Sequence, residues 1–123
     1  LRAGTPVLRD EDDVYTNHIH ADDLAASVQR ALEDDAPAGV YNASDDSMLK
    51  MGAWFDFLAA RAGLPRPPRI TRSEAARCLS PALLSFMSES RRLDNRRLKE
   101  ALGVRLRYPT VRDGVLAEHF RAF

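Results

Sequence analysis

The sequence is poor in the residues that build covalent or metal-bound frameworks. Its 123 residues include one cysteine, Cys78, and three histidines. A single cysteine excludes an internal disulfide bond and a cysteine-based zinc site. It also favours a reducing compartment, and we therefore expect a cytoplasmic protein. Because Cys78 stands among alanines and Leu79, we expect a buried and unreactive thiol.

The sequence also lacks an excess of charge and a long apolar run. Eighteen basic and 18 acidic residues give a formal net charge of zero, so total charge favours neither a nucleic acid nor a membrane surface as partner. No apolar run approaches the roughly 20 residues that cross a bilayer, and we expect no membrane partner. A composition of 45% hydrophobic and 29% charged residues is typical of a globular domain.

The first half of the chain has the periodicities of a strand, a helix and a second strand. Alternation over residues 14–20 predicts the first strand. Asp22 or Asp23 is the expected N-cap of the helix. The helix carries an apolar stripe at Leu24, Ala25, Val28, Ala31 and Leu32. Residues 39–43 predict a second strand, and the order indicates a βαβ unit cut from a larger sheet, since two short strands alone make a poor sheet.

The second half of the chain predicts a series of helices. The apolar spacing from Met51 to Ala62 indicates the first of them, with Gly63 as its stop and caps available at residues 44–47. Later starts are expected from a capping box, a Ser-Pro pair, and caps that precede the last two helices. These residues are Thr71 with Glu74, Ser80 with Pro81, Asp94 and Thr110. The last helix is expected to carry Phe120 on its apolar side.

Residues 15–24, with the sequence YTNHIHADDL, raise the question of a metal site. His18 and His20 share one face of the predicted strand, but a tetrahedral site needs further ligands, and His119 lies far along the chain. The two aspartates that follow are better explained as helix caps. We therefore expect no metal. The histidines are interpreted as packed, hydrogen-bonded residues or as the edge of a pocket at the carboxyl end of the strand.

Three segments of the sequence resemble one known family. TNHIHADDLA is similar to the strand-to-helix segment of the NAD-dependent epimerase/dehydratase family, in the extended and atypical short-chain dehydrogenase/reductase superfamily. GVYNASDD resembles the strand that follows there. SESRRLDN, followed by LGVRLRYPT, resembles the C-terminal signature of an atypical bacterial branch. The resemblance covers residues 4–118 in the family's order and spacing.

The resemblance implies the fold class and the division of the chain. It implies the C-terminal part of a Rossmann-type α/β fold, with a few strands and flanking helices, followed by a small helical substrate-binding subdomain. We expect the sheet elements in residues 1–46 and the helical subdomain in residues 47–123. The family further implies an NAD- or NADP-dependent oxidoreductase that acts on a small-molecule substrate.

Two features of that family are missing from the sequence. It has no Gly-x-x-Gly-x-x-Gly loop, whose glycines bring backbone N–H groups to a pyrophosphate, and no tyrosine has a lysine four residues further on. We therefore expect no cofactor, no catalytic residue and no turnover in this chain alone. Its expected partner is a missing N-terminal dinucleotide-binding portion, and Leu1 in place of a starting methionine favours the same interpretation. Thr16 stands where sugar-nucleotide epimerases carry an arginine, which disfavours a nucleotide-sugar substrate.

The candidate substrate-binding residues lie in two places. Asn17, His18 and His20 stand at the expected strand end, and Arg91 and Arg92 stand at the expected rim of the pocket. Arginine suits bidentate recognition of a carboxylate or phosphate. Surface ion pairs are the alternative explanation for both arginines.

Two other classes of function stay open. One is a stand-alone binding or interaction domain without chemistry. The other is a nucleic-acid binder that uses the basic residues of 91–107, which we disfavour because the helix there spans about two turns and no helix-turn-helix frames it. Exposed edges of a truncated sheet favour association between copies of the chain, so a homo-oligomer is a further expected partner.

Overall fold

A computed structural model describes residues 1–117 of the chain, so His119 and Phe120 lie outside the described residues. The described chain forms two compact units. Unit 1 holds residues 1–16 and 48–91, and unit 2 holds residues 17–47 and 92–117. The division expected between residues 46 and 47, into sheet elements and a helical substrate-binding subdomain, stays a prediction.

Unit 1 combines two short strand pairs with three helices. Strand β1 (Val7–Leu8) pairs in parallel with β4 (Arg69–Ile70), and β2 (Tyr15–Thr16) pairs antiparallel with β3 (Leu49–Lys50). The helices are α2 (Met51–Ala62), α3 (Arg72–Cys78) and α4 (Pro81–Phe86). The core of the unit is formed by Leu8, Ala75 and Met87. The buried β1 lies in a stretch whose polar composition concealed it in the sequence.

Several helix ends in unit 1 confirm the sequence predictions. Gly63 ends α2 in the left-handed conformation at φ 65°, which a glycine adopts without a Cβ clash. Thr71 and Glu74 form the capping box of α3, and the Ser80 side chain accepts the N–H of Leu83 at the start of α4. The caps expected for α2 at residues 44–47 were wrong, because α2 begins after Lys50 and the acceptor in its first turn is the carboxylate of Asp13, which binds the Gly52 N–H.

Unit 2 packs three helices around connecting segments. These helices are α1 (Ala21–Ala31), α5 (Arg96–Glu100) and α6 (Val111–Ala117). Leu98, Leu102 and Val104 form the buried core of this unit. Thr110 lies at the start of α6, where its Oγ1 accepts the N–H of Asp113 at 3.4 Å.

The strand predictions were wrong in extent and in partner. The first strand is confined to Tyr15–Thr16, and residues 39–43 pair with no strand in the described part of the chain. Sheet strands share a ladder of hydrogen bonds. In this segment the Val40 carbonyl accepts the Arg97 Nε, and the Asn42 carbonyl accepts the Ser44 N–H. The βαβ unit is therefore not complete within residues 1–117.

The local predictions for the start of α1 and for Cys78 were also wrong, and the one for α5 was confirmed in part. His20, not Asp22 or Asp23, is the N-cap of α1, because its Nδ1 accepts the N–H of Asp22. For α5, Asn95 is the boundary residue and makes no side-chain cap, whereas the predicted Asp94 accepts the N–H of the first helical residue, Arg96, at 2.9 Å. Cys78 is exposed rather than buried, because it lies on the outer side of the last turn of α3.

The observed architecture is mixed α/β, with two two-stranded sheets and six α-helices in residues 1–117. This arrangement is compatible with part of a Rossmann-like fold. None of the helices in that range has both the length and the apolar content to cross a membrane.

Candidate functional site

Asn17 is the first of the candidate residues in unit 2. It is exposed, and its side-chain Oδ1 accepts the backbone N–H of Leu93 at 2.9 Å. This hydrogen bond holds the strand end beside the segment that begins with Arg92. The structure therefore brings Asn17 and the backbone next to Arg92 together, as a shared site requires.

His18 lies next to a buried carboxylate. The Asp45 N–H donates to the His18 carbonyl at 2.7 Å, so the two residues are held side by side through their backbones. Asp45 is buried, and its Oδ1 accepts the N–H of Ser47 at 2.8 Å. The His18 imidazole and the Asp45 carboxylate therefore lie in one region with reduced access to solvent.

Burial changes the acidity of both groups. Desolvation lowers the pKa of His18 below its ordinary value of 6.5, and the nearby Asp45 partly opposes this. Desolvation raises the pKa of Asp45 above its ordinary value of 3.8, against the hydrogen bonds from Ser47. A neutral imidazole near neutral pH is able to accept a proton, and a carboxylate beside it stabilises the imidazolium that forms.

Ser44 adds a polar atom with no partner to the same segment. Its Oγ is buried and has no hydrogen-bond partner within the described residues. The Ser44 carbonyl, in contrast, accepts the side-chain Nδ2 of Asn95 at 2.9 Å. A buried hydroxyl without a partner is unusual and is a feature of binding sites as well as of strained packing.

His20 is placed by contacts within the protein itself. Its Nδ1 accepts the N–H of Asp22 at 3.0 Å, so in the neutral ring the hydrogen is on Nε2. The ring also packs against the ring of Tyr108, with centroids 4.0 Å apart. A Cβ added to Gly114 would lie 3.1 Å from the His20 ring. Capping and stacking thus account for the position of His20, and its contact with substrate stays a prediction.

Asp23 is a buried structural anchor rather than a cap. Its two carboxylate oxygens accept the N–H groups of Arg107 and Tyr108 at 2.8 and 2.9 Å. The Ser27 hydroxyl donates to the Asp23 carbonyl at 2.7 Å. Asp23 therefore fixes the loop that carries the Tyr108 ring to the first turn of α1.

The two candidate arginines fall in different units. Arg91 belongs to unit 1, where its N–H donates to the Tyr15 carbonyl at 3.4 Å and its guanidinium pairs with Glu89. Arg92 is exposed in unit 2, directly before the Leu93 that Asn17 binds. Arg92 therefore lies in the same unit as Asn17, whereas Arg91 belongs to unit 1.

Most of the other basic side chains of residues 91–107 have partners within the protein. Arg96 pairs with Asp94, and Lys99 pairs with Asp46 at 2.9 Å. Arg97 lies over the ring of Tyr41, 5.3 Å from its centroid. A nucleic-acid surface needs basic groups that are directed at phosphates. These pairings therefore give the nucleic-acid alternative little support, and the prediction against it stays a prediction.

Each unit contains a hollow among its described residues. The one in unit 1 has a volume of about 220 Å³ and is mainly apolar. Its lining includes Val7, Met51, Phe55, Leu83 and Met87. The one in unit 2 has a volume of about 390 Å³ and a surface of mixed polarity, with Asn42, Arg97 and Glu100 among its lining residues.

The starts of α1, in unit 2, and of α2, in unit 1, do not suit a pyrophosphate. The first turn of α1 is occupied by His20 and carries the carboxylates of Asp22 and Asp23. In α2 the Gly52 N–H donates to Asp13 Oδ2 at 2.8 Å. A dinucleotide phosphate would meet negative charge at both places. In residues 1–117 no three His, Cys, Asp or Glu side chains are grouped to hold a metal ion.

The sequence did not reveal Asp45 and Ser44 as members of this site. Both were interpreted as cap residues for the next helix, because Ser and Asp are common there. Their position directly after an extended segment was the available signal, since α/β sheets bind ligands at the carboxyl ends of strands.

Comparisons with known proteins relate the chain to a reductase. No family model matches it. It is 28% identical over 100 residues to a 3-diazoavenalumate denitrifying reductase from a Streptomyces species, over 81% of this chain and 33% of the reductase. This match points to an oxidoreductase-type family.

A solved structure shares the fold. It is described as a functionally unknown conserved protein from Silicibacter pomeroyi DSS, and it matches with a TM-score of 0.78 at 34% identity. The match covers 92% of this chain and 39% of that chain. The chain thus spans well under half the length of either relative.

Proposed function

We propose that this chain is the substrate-binding portion of an NAD- or NADP-dependent reductase of the epimerase/dehydratase type. The observation that carries the proposal is the match to a reductase of which the chain covers 33%. The sequence has no glycine-rich loop. This supports a protein in which the remainder of the longer chain binds the nucleotide and this portion binds the substrate.

The proposed substrate site lies in unit 2. His18 is half-buried, is held beside the buried Asp45, and has a lowered pKa, which suits a group that accepts a proton from substrate or returns it. Asn17 lies next to it in sequence, and its side-chain Oδ1 holds the Leu93 backbone beside the site. Neither residue carries out hydride transfer, so the chain by itself is expected to have no turnover.

Arg92 is proposed to bind an anionic group of the substrate. Its side chain is exposed, and the backbone N–H of the next residue, Leu93, donates to the Asn17 side chain. A guanidinium recognises a planar carboxylate through two parallel hydrogen bonds. His20 and Arg91 remain candidates, the first held by its capping role and the second by its pairing with Glu89.

The cofactor enters the proposal only through the remainder of the protein. NAD or NADP would supply the hydride when bound there. The residues of this chain would bind the substrate, orient it and handle a proton at the His18 imidazole.

The test uses the parent polypeptide, defined as the longest in-frame translation of the source DNA that contains residues 1–123. Its consumption of NADH and NADPH is measured with 3-diazoavenalumate, the compound named in the relative, and with a panel of small carbonyl and aromatic acids. His18→Asn is expected to lower kcat/KM on the order of 100-fold, the low end of the contribution of a positioned acid–base group.

Arg105→Ala is the matched control, because Arg105 is an exposed arginine of the same basic run outside the proposed site. It should leave kcat/KM unchanged, whereas Arg92→Ala should raise KM and leave nucleotide binding intact. Nucleotide consumption that is equal in all three variants and the parent would reject the proposed site. No consumption with any compound, together with no nucleotide binding, would reject the reductase proposal itself.

A further inference from the structure

Asn95 binds the two residues that flank Asp45. Its side-chain Nδ2 donates to the Ser44 carbonyl at 2.9 Å and to Asp46 Oδ1 at 2.8 Å. An amide nitrogen carries two hydrogens, so these two acceptors can use both of them. Ser44 and Asp46 are the immediate neighbours of Asp45 in sequence. A single side chain therefore holds the chain on both sides of this buried carboxylate.

Asn95 is itself held within unit 2. It is 9% exposed, and its carbonyl accepts the N–H of Lys99 at 3.2 Å at the start of α5. Leu98, three residues further on, belongs to the buried core of the unit. A group that positions a site is most effective when it stands on a rigid element. Asn95 meets this condition, because the helix that it begins is packed into the core.

The segment that carries Asp45 depends on such bonds for its position. The Asp45 N–H donates to the His18 carbonyl at 2.7 Å, and its Oδ1 accepts the N–H of Ser47 at 2.8 Å. Residues 17–18 and 44–47 belong to no helix or strand. The backbone of these residues therefore relies on individual hydrogen bonds, including the one from Asn95 to the Ser44 carbonyl.

Asp46 keeps its bond to Asn95 throughout the pH range in which His18 changes charge. The hydrogen bonds from Asn95 and from Lys99, whose Nζ lies 2.9 Å from Asp46 Oδ1, hold the pKa of Asp46 below its ordinary value of 3.8. Burial instead raises the pKa of Asp45. Asp46 is therefore ionised, and able to accept from the Asn95 amide, wherever a histidine titrates.

We infer that Asn95 is a positioning residue of the proposed site, which holds the Asp45 carboxylate beside His18 by binding the residues on both sides of it. The inference rests on the proposed function, because only turnover by the parent gives the His18–Asp45 pair a chemical role. In this role Asn95 acts through Asp45 and does not touch substrate. A carboxylate that is already in place stabilises an imidazolium without reorganisation when the proton arrives.

The experiment measures how strongly Asp45 acts on His18, with and without the Asn95 amide. The pKa of His18 is followed by NMR titration of the 123-residue chain, before and after Asp45→Asn. The same two measurements are repeated in Asn95→Ala, which removes the amide, and in Asp94→Ala. Asp94→Ala is the matched control, because Asp94 accepts the N–H of Arg96 at 2.9 Å at the start of the same helix.

In the unsubstituted chain Asp45→Asn is expected to lower the pKa of His18. In Asn95→Ala the larger part of that shift should be lost, because Asp45 is no longer held beside the imidazole. In Asp94→Ala the shift should be retained, although α5 loses a cap. A merely structural role for Asn95 would lower stability in both variants and leave the shift in place.

A second pair of variants decides the question even if Asn95→Ala fails to fold. Asp46→Ala removes both the charge and the acceptor that the Asn95 amide uses, whereas Asp46→Asn removes the charge and retains an acceptor oxygen. The Asp46 side chain is 39% exposed, so both variants are expected to fold. The effect of Asp45→Asn on His18 should fall in Asp46→Ala and persist in Asp46→Asn.

In the parent polypeptide Asn95→Ala should act on turnover through His18. It is expected to lower kcat, by no more than the roughly 100-fold expected for His18→Asn, and to leave KM nearly unchanged. In a His18→Asn background it should lower kcat no further. A further fall in that background would show that Asn95 acts elsewhere, against the inference.

Three titration results would also overturn the inference. One is an equal effect of Asp45→Asn on His18 with and without the Asn95 amide. Another is an equal loss of that effect in Asn95→Ala and Asp94→Ala, and the third is an equal loss in Asp46→Ala and Asp46→Asn. The titration needs neither nucleotide nor substrate. A failed reductase proposal therefore leaves the result for Asn95 in place, and a failed role for Asn95 leaves nucleotide consumption by the parent to be measured separately.

Discussion

The carboxylate of Asp23 accepts the backbone N–H of Tyr108 at 2.9 Å across 85 residues of sequence. The same carboxylate accepts the N–H of Arg107 at 2.8 Å. Charge-assisted hydrogen bonds to a buried carboxylate are stronger than those between neutral groups. This one side chain therefore joins the two segments of unit 2 and orients α1.

Asp23→Ala is expected to destabilise the chain by about 2–4 kcal/mol, because it leaves two backbone N–H groups without their acceptor. Asp22→Ala, one residue away on an exposed side chain, should change stability by less than about 0.5 kcal/mol. Urea unfolding followed by circular dichroism measures both. Equal losses in the two variants would show that Asp23 acts only through helix-start charge.

The pairing of His18 with Asp45 predicts a specific titration. Desolvation keeps the pKa of His18 below 6.5 in the folded chain, and the Asp45 carboxylate raises it in part. Asp45→Asn should therefore lower the pKa of His18 further, while its side-chain oxygen still accepts the Ser47 N–H. NMR titration of the imidazole measures this, with Asp46→Asn as the neighbouring control that leaves the His18 pKa in place. An upward shift in Asp45→Asn would contradict the assignment.

The same lowered pKa predicts a loss of stability in acid. The unfolded chain takes up a proton on His18 at a higher pH than the folded chain does. The contribution of neutral His18 to stability is therefore fully present above pH 6.5 and is lost as the pH falls from 6.5 through the lowered folded value. His18→Gln should flatten the pH dependence of unfolding free energy in this window. A dependence that is unchanged in the variant would assign it to other groups.

The core of unit 2 predicts a large effect at one leucine. Leu98 is buried against Leu102 and Val104, so Leu98→Ala should cost about 2–5 kcal/mol through lost burial and a cavity. Leu93→Ala is the control, because Leu93 is 39% exposed. The measurement is the difference between the urea unfolding midpoints of the two variants. A difference near zero would show that Leu98 is not part of a buried core.

The sequence predicted those features that depend on neighbouring residues. Gly63 at the end of α2 and the Thr71–Glu74 capping box require only a few adjacent residues, and both were confirmed. The role of Asp23 was missed, because its partners Arg107 and Tyr108 are distant in sequence. The strand over residues 39–43 was predicted from its own residues, but a strand also needs a partner, and the described chain provides none.

The candidate site followed the same rule. Asn17 and His18 were identified from their position at the expected strand end, and the structure places each against a partner that is distant in sequence. Asn17 binds the N–H of Leu93, and His18 lies beside Asp45. Their role in substrate binding stays a prediction. The buried Ser44 hydroxyl was missed, since burial of a serine has no local signature.

The most direct test of the account is the binding of NADH and NADPH to two proteins, the parent polypeptide and the 123-residue chain, followed by nicotinamide fluorescence and calorimetry. The proposed function predicts saturable binding of at least one nucleotide by the parent and none by the 123-residue chain. A parent that binds neither nucleotide, or a 123-residue chain that binds one as tightly as the parent does, would contradict it.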